Sequence, residues 1–162
     1  MFDNNPLPLD LPPAARAEMA AAVAAWDDEP TAASHVAAAL TAAPDSLGVR
    51  IGAYKFYLYR HRLEQAVVQA RVILAQAARR QQLPHDWRDV AADHAAFDSL
   101  EPWPRLFLQA LVALGYGLLR LGLTEEGEAA LVKAAELDPA DRLGAKRLLE
   151  LSRREPDEDE DS

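Results

Sequence analysis

The chain has 162 residues, half of them hydrophobic and 27% charged, which fits a single soluble globular domain. It has no cysteine, which excludes disulfide frameworks, thiolate metal sites and cysteine nucleophiles. The formal net charge of −9 opposes general nucleic-acid binding, because phosphate contacts need a basic surface.

In chain order, the first segment, 1–12, holds prolines and two acids but no base. It lacks the basic region and apolar core of a secretory signal, and it is expected to be extended. Pro12 and Pro13 then open a helix, since proline is tolerated in a first turn. That helix runs through Ala20 and Val23 to Trp26, and Asp27, Asp28, Glu29 and Pro30 are expected to stop it. Thr31 is the expected cap of a second helix that ends at Ala43, before Pro44. A third helix is expected over about Ser46–Arg60 and a fourth over about Leu63–Gln81. Pro84 breaks the chain. Trp87, Val90, His94 and Phe97 recur at helical spacing, so a short helix is expected over about Asp86–Leu100. Glu101-Pro-Trp-Pro104 reads as a stiff link. Two more helices follow, about Arg105–Leu121 and Thr124–Leu137, with Gly122 at the turn and Pro139 beyond. Asp141 caps a last helix reaching about Arg154. No segment shows strand alternation, so the fold class is all-α. The strong helix formers agree: alanine occurs 33 times and leucine 24 times.

Charge is uneven along the chain. Residues 50–80 hold seven bases against Glu64, whereas 1–49 and 81–101 are acidic. The last eight residues, 155–162, add six acids and no apolar side chain. That tail cannot bury enough surface to offset ordering entropy and is expected to be disordered. It is read as a solubilising tail or as a tether that folds back on the basic middle. The longest uncharged run, Leu106 to Leu119, holds fourteen residues, short of the roughly 18 a membrane span needs. No membrane association is expected, and a cytoplasmic location is.

Paired short helices invite a search for repeats. In a 34-residue unit starting at Leu108, Leu111, Leu114, Gly115 and Leu118 take positions four, seven, eight and eleven. Gly127, Leu131, Ala134 and Pro139 take positions twenty, twenty-four, twenty-seven and thirty-two. Gly115 and Gly127 let two helices approach closely, and the leucines fill the seam. The stretch resembles the tetratricopeptide repeat (TPR) family, with Leu118 in the tyrosine slot and Gly127 where alanine is usual. The same register lies on 13–46, with Met19, Ala20, Val23, Ala32, Val36, Ala39 and Pro44. It lies more loosely on 47–80, where Arg50, Tyr54 and Ala78 depart from the pattern.

The resemblance implies a TPR-like α-solenoid of antiparallel helix pairs over 13–154. Its units would be 13–46, 47–80 and 108–141, with an inserted helix and Pro/Trp link at 81–107 and a capping helix at 142–154. It further implies a concave groove lined by the first helix of each pair. Those positions are alanines in the first unit (Ala14, Ala17, Ala21, Ala24 and Ala25). In the second they include Ile51, Lys55, Leu58 and Tyr59, and in the third Val112, Tyr116, Leu119 and Arg120. The carboxylate clamp that some TPR proteins use for chaperone tails is missing from these positions. Small acidic TPR secretion chaperones share the length and the charge, but not the insertion.

Enzymatic motifs are weak. His85, Asp89 and Asp93 would share one stripe of a helical insertion, with His94 adjacent. A single stripe does not converge on a metal. No phosphate loop or dinucleotide loop occurs. The expected function is therefore non-enzymatic: an adaptor or chaperone holding a protein segment in the groove, with no cofactor. The alternatives are a regulatory or assembly subunit docking on a larger enzyme complex, and a metal-dependent enzyme built on 81–101.

Overall fold

The computed structural model describes residue 2 and residues 10–160, with side chains described to Arg154. Among the described residues every regular element is helical: α1 (Pro13–Ala24), α2 (Glu29–Ala42), α3 (Leu47–Tyr59), α4 (Leu63–Arg80), α5 (Pro102–Arg120), α6 (Thr124–Leu137) and α7 (Ala145–Glu160). The protein is all-α.

Local chemistry sets the helix ends. Pro13 begins α1, where its missing N–H costs nothing. The expected stop at Asp28, Glu29 and Pro30 is instead the start of α2. The Asp28 carboxylate accepts from the Thr31 N–H at 3.4 Å and from the Thr31 hydroxyl at 2.7 Å. Asp28 rather than Thr31 is therefore the cap, and Pro30 sits in a first turn that needs no donor there. Ser46 caps α3 by accepting from the Val49 N–H at 3.3 Å. Gly122, at φ +80°, turns the chain between α5 and α6. Before α7 the Asp141 carboxylate accepts from the Lys146 N–H at 3.0 Å, and that helix begins only at Ala145. Gly144, also at φ +80°, makes the intervening bend.

Two expectations fail between α4 and α5. Residues 86–100 form no α-helix: a single 3-10 turn at Trp87–Asp89 is followed by extended Val90 and a series of turns. Short polar side chains here satisfy the backbone locally and compete with the helix. The Asp86 carboxylate accepts from the Arg88 N–H, His94 Nδ1 accepts from the Ala91 N–H, and Ser99 Oγ donates to the Ala96 carbonyl. Nor is 101–104 a link. Pro102, Trp103 and Pro104 are the first turn of α5, where the leading N–H groups lack helical partners in any case. At the far end, α7 stays helical to Glu160, into the stretch expected to be disordered. Extending a nucleated helix costs less than starting one. The remaining residues of that stretch, 161 and 162, lie outside the described residues, as do 1 and 3–9 of the expected extended segment.

Helices packed on one another lie one or two places apart in chain order. α1 packs on α2, α3 on α4, α4 on α5, α5 on α6 and α6 on α7; α3 meets α1 and α2 more lightly. Turns of three or four residues join α1 to α2, α3 to α4 and α5 to α6, so each of these pairs is antiparallel. The core centres on α5, where every residue from Leu106 to Gly115 is buried. A helix apolar all round belongs inside, which explains its long uncharged run. The 82–101 segment covers another of its sides. Phe97 stacks on Phe107 with ring centroids 5.8 Å apart, Lys133 Nζ donates to the Val90 carbonyl, and Arg142 donates to the Asp98 carbonyl.

Candidate functional site: a hollow beside the third helix

An open hollow of about 550 Å³ lies between α1 and α3, floored by Val36 of α2. One wall is Met19, Ala22, Val23 and Trp26; the other is Gly52, Lys55, Phe56 and Tyr59. Each wall follows the i, i+3, i+4, i+7 spacing of a helix face; Met19, Ala22 and Val23 lie on α1, and Trp26 continues the stripe in the turn after it. Val23 is 71% exposed and Tyr59 69%, so large apolar surface faces solvent at the rim. Surface of this kind, gathered at a concavity, is where proteins take partners.

The hollow has a fixed aromatic end. The Trp26 ring meets Phe56 edge-on at 5.9 Å and Tyr59 at 5.2 Å. The Arg60 guanidinium lies 4.4 Å above the Trp26 ring and also donates to the Trp26 carbonyl. A cation over the indole face and a bond to the same residue's backbone hold Trp26 in one orientation. Gly52 makes room on the opposite wall: a Cβ there would lie 2.6 Å from Met19 Cε. Between α1 and α2, His35 and Glu18 meet at 2.7 Å.

The expected groove residues divide. Lys55 and Tyr59 line the hollow together. Ile51 and Val112 do not line an open wall; they are 4% and 1% exposed and belong to the core. Val112 is buried because α5 is covered on all sides, and Ile51 joins the cluster that also holds Phe2 and Tyr54. Leu58 and Leu119 are half-buried against the same core. Tyr116 and Arg120 do meet, with Arg120 Nη1 donating to the Tyr116 hydroxyl at 3.3 Å, but on α5 and away from the hollow. Of the first-unit alanines, Ala14, Ala17 and Ala24 are exposed and Ala21 and Ala25 half-buried, and none lines the hollow. Met19, Val23, Trp26 and Phe56 were not expected in the site. The shared stripe spacing on the two helices was the signal that could have found them.

Electrostatics set a second boundary. The basic middle is largely engaged with its neighbours: Arg62 with Glu29 at 2.9 Å, Arg71 with Glu126 at 2.7 Å, and Arg50 with the Gln69 side chain at 3.0 Å. Burial pushes the Tyr54 and Tyr57 hydroxyls above the usual phenol range, with the Tyr116 phenol adding to the shift at Tyr54. At Tyr57, Arg62 and Arg50 act in the opposite direction. The backbone N–H of Arg88 holds the Asp86 carboxyl below its ordinary value. Among the described residues no three histidine, aspartate or glutamate side chains come together as a metal site. His85, Asp89 and Asp93 do not share a helix stripe, because that helix does not form. No helix among the described residues is long and apolar enough to cross a membrane.

Comparison with known proteins adds one relationship. The chain is 39% identical over 152 residues to an uncharacterized 19.8 kDa protein in the nifW 5′ region of Azotobacter chroococcum mcd 1, spanning 93% of this chain and 85% of that protein. It belongs to that protein's family. No protein-family model and no solved structure matches the chain.

Proposed function

We propose that the protein is a non-enzymatic interaction module, an adaptor or chaperone, that holds a partner segment in the hollow between α1 and α3. The observation that carries this reading is the exposed pair Val23 and Tyr59 at the mouth of an apolar concavity backed by the fixed Trp26 ring. Rigid aromatic walls give contact area at little entropy cost, which is what an anchor pocket needs. Helices that pack on partners one or two places away in the chain also agree with a TPR-like solenoid, in which the first helix of each pair lines the binding face. In that frame α1 and α3 are such first helices, and the partner is a protein segment rather than a nucleic acid or a membrane. A cytoplasmic location goes with the reading.

A second reading is docking on a larger enzyme complex through the insertion. Leu100, 73% exposed in the segment just before α5, favours it. One experiment separates the two. Partners recovered from the source cell with the natural chain are compared with those recovered with a Val23→Asp/Tyr59→Asp double variant and with Leu100→Asp, each shown to be folded by circular dichroism. Loss with the double variant alone supports the hollow. Retention there overturns it, and loss with Leu100→Asp alone moves the contact to the insertion.

A further inference from the structure

The opposite flank of α3 holds a second seat, and it is filled. At 100° per residue, Tyr54 lies on the side of α3 turned away from the stripe of Gly52, Lys55, Phe56 and Tyr59. There the Phe2 ring meets Tyr54 edge to face, with centroids 5.1 Å apart, and Phe2 is 3% exposed. Asp10 is held as well, where Ser46 Oγ donates to its carbonyl at 2.7 Å. The seat also holds an unmet polar group. The Tyr54 hydroxyl is buried, stands near Tyr116 of α5, and has no hydrogen-bond partner among the described residues. A buried hydroxyl without a partner is a group that a peptide backbone can satisfy and that a phenylalanine ring leaves unsatisfied.

We propose that the Tyr54 seat is a peptide-binding site for an extended segment carrying an aromatic side chain, and that this chain's own Phe2 occupies it in cis. The inference is independent of the α1/α3 hollow, which lies on the other side of α3. The Phe2 segment is the occupant to which the structure points, so it supplies the probe. A fluorescent peptide of residues 1–12 is titrated, by anisotropy, into the natural chain and into its Phe2→Ala variant.

A tethered occupant acts at an effective concentration of about a millimolar, so emptying the seat should tighten binding of the free peptide by at least about tenfold. The same peptide with its own Phe2→Ala change should bind neither chain. Equal binding of the probe to both chains overturns the proposal, and so does equal binding of the two peptides to the variant. Should Phe2→Ala unfold the chain, Phe2→Leu keeps an apolar side chain in place while removing the ring, and the same comparison applies. Failure here leaves the Val23/Tyr59 experiment untouched, because neither of those residues contributes to this seat.

Discussion

Tyr54 shows how a single atom can be read energetically. Its hydroxyl is buried with no partner among the described residues, and burial raises its pKa above the ordinary value of 10.0. An unpartnered buried hydroxyl contributes its desolvation cost and no bond, so Tyr54→Phe should be neutral or stabilising by about 1 kcal/mol at neutral pH. For a domain of this size that is a rise in Tm of roughly 2–4 °C. The pH dependence has a definite sign. A phenol whose folded pKa is raised resists ionisation in the folded state, so its contribution is intact below pH 10 and is lost progressively as pH rises from there through the raised folded value. Tyr57 is shifted in the same direction and acts with it. Thermal melts at pH 7 and pH 11 should show a smaller alkaline loss for Tyr54→Phe than for the natural chain. A Tm several degrees lower at pH 7 would mean that the hydroxyl has a partner after all.

Between elements, three glycines separate contacts that cannot give from one that can. A Cβ on Gly115 would lie 2.7 Å from the Leu131 side chain and 3.1 Å from the Gly127 carbonyl, so α5 and α6 touch through it. Gly115→Ala should cost about 1–3 kcal/mol by overpacking, with Gly127→Ala at least as costly because it meets the Leu119 backbone nitrogen at 3.0 Å. Gly52→Ala meets only the end of the flexible Met19 side chain, and alanine gains helix propensity of about 1 kcal/mol. It should keep or raise Tm while pushing Met19 into the hollow. Melts of the three variants check the order; a Gly52→Ala variant as unstable as Gly115→Ala would break the argument.

The Gly115–Gly127 contact was legible in the sequence because close helix approach demands small residues at a fixed spacing. The helices themselves were legible because apolar periodicity and caps are local properties. The 82–101 segment was not. Trp87, Val90 and Phe97 have helical spacing and all three are buried, yet the short polar residues among them turn the chain instead. Spacing reports which side chains face the core and leaves open how the backbone carries them there. The seating of Phe2 on Tyr54 was hidden for another reason: it is a contact across some fifty residues, and no local pattern encodes that.

For the whole molecule, packing between helices close in chain order means that stability need not be shared evenly. Each helix pair is held by its own interior and by the seam with the next pair. The seam between α4 and α5 lies in the main core, with Gly117 packed so closely that a Cβ there would come 2.7 Å from Val67. The seam between the α1/α2 pair and α3 is lighter and carries the open hollow. Trp26, Arg60 and the Arg62–Glu29 pair bridge it at one end. That pair is half-exposed and screened, so it adds little. Amide hydrogen exchange under native conditions should therefore show α1 and α2 opening at a lower free energy than α4 and α5. A partner segment seated in the hollow would bridge the light seam and raise protection in α1 and α2 selectively. Uniform exchange across all seven helices in the free chain would mean that the domain unfolds as one unit, and the hollow would then be a static pocket with no looser seam for a partner to close.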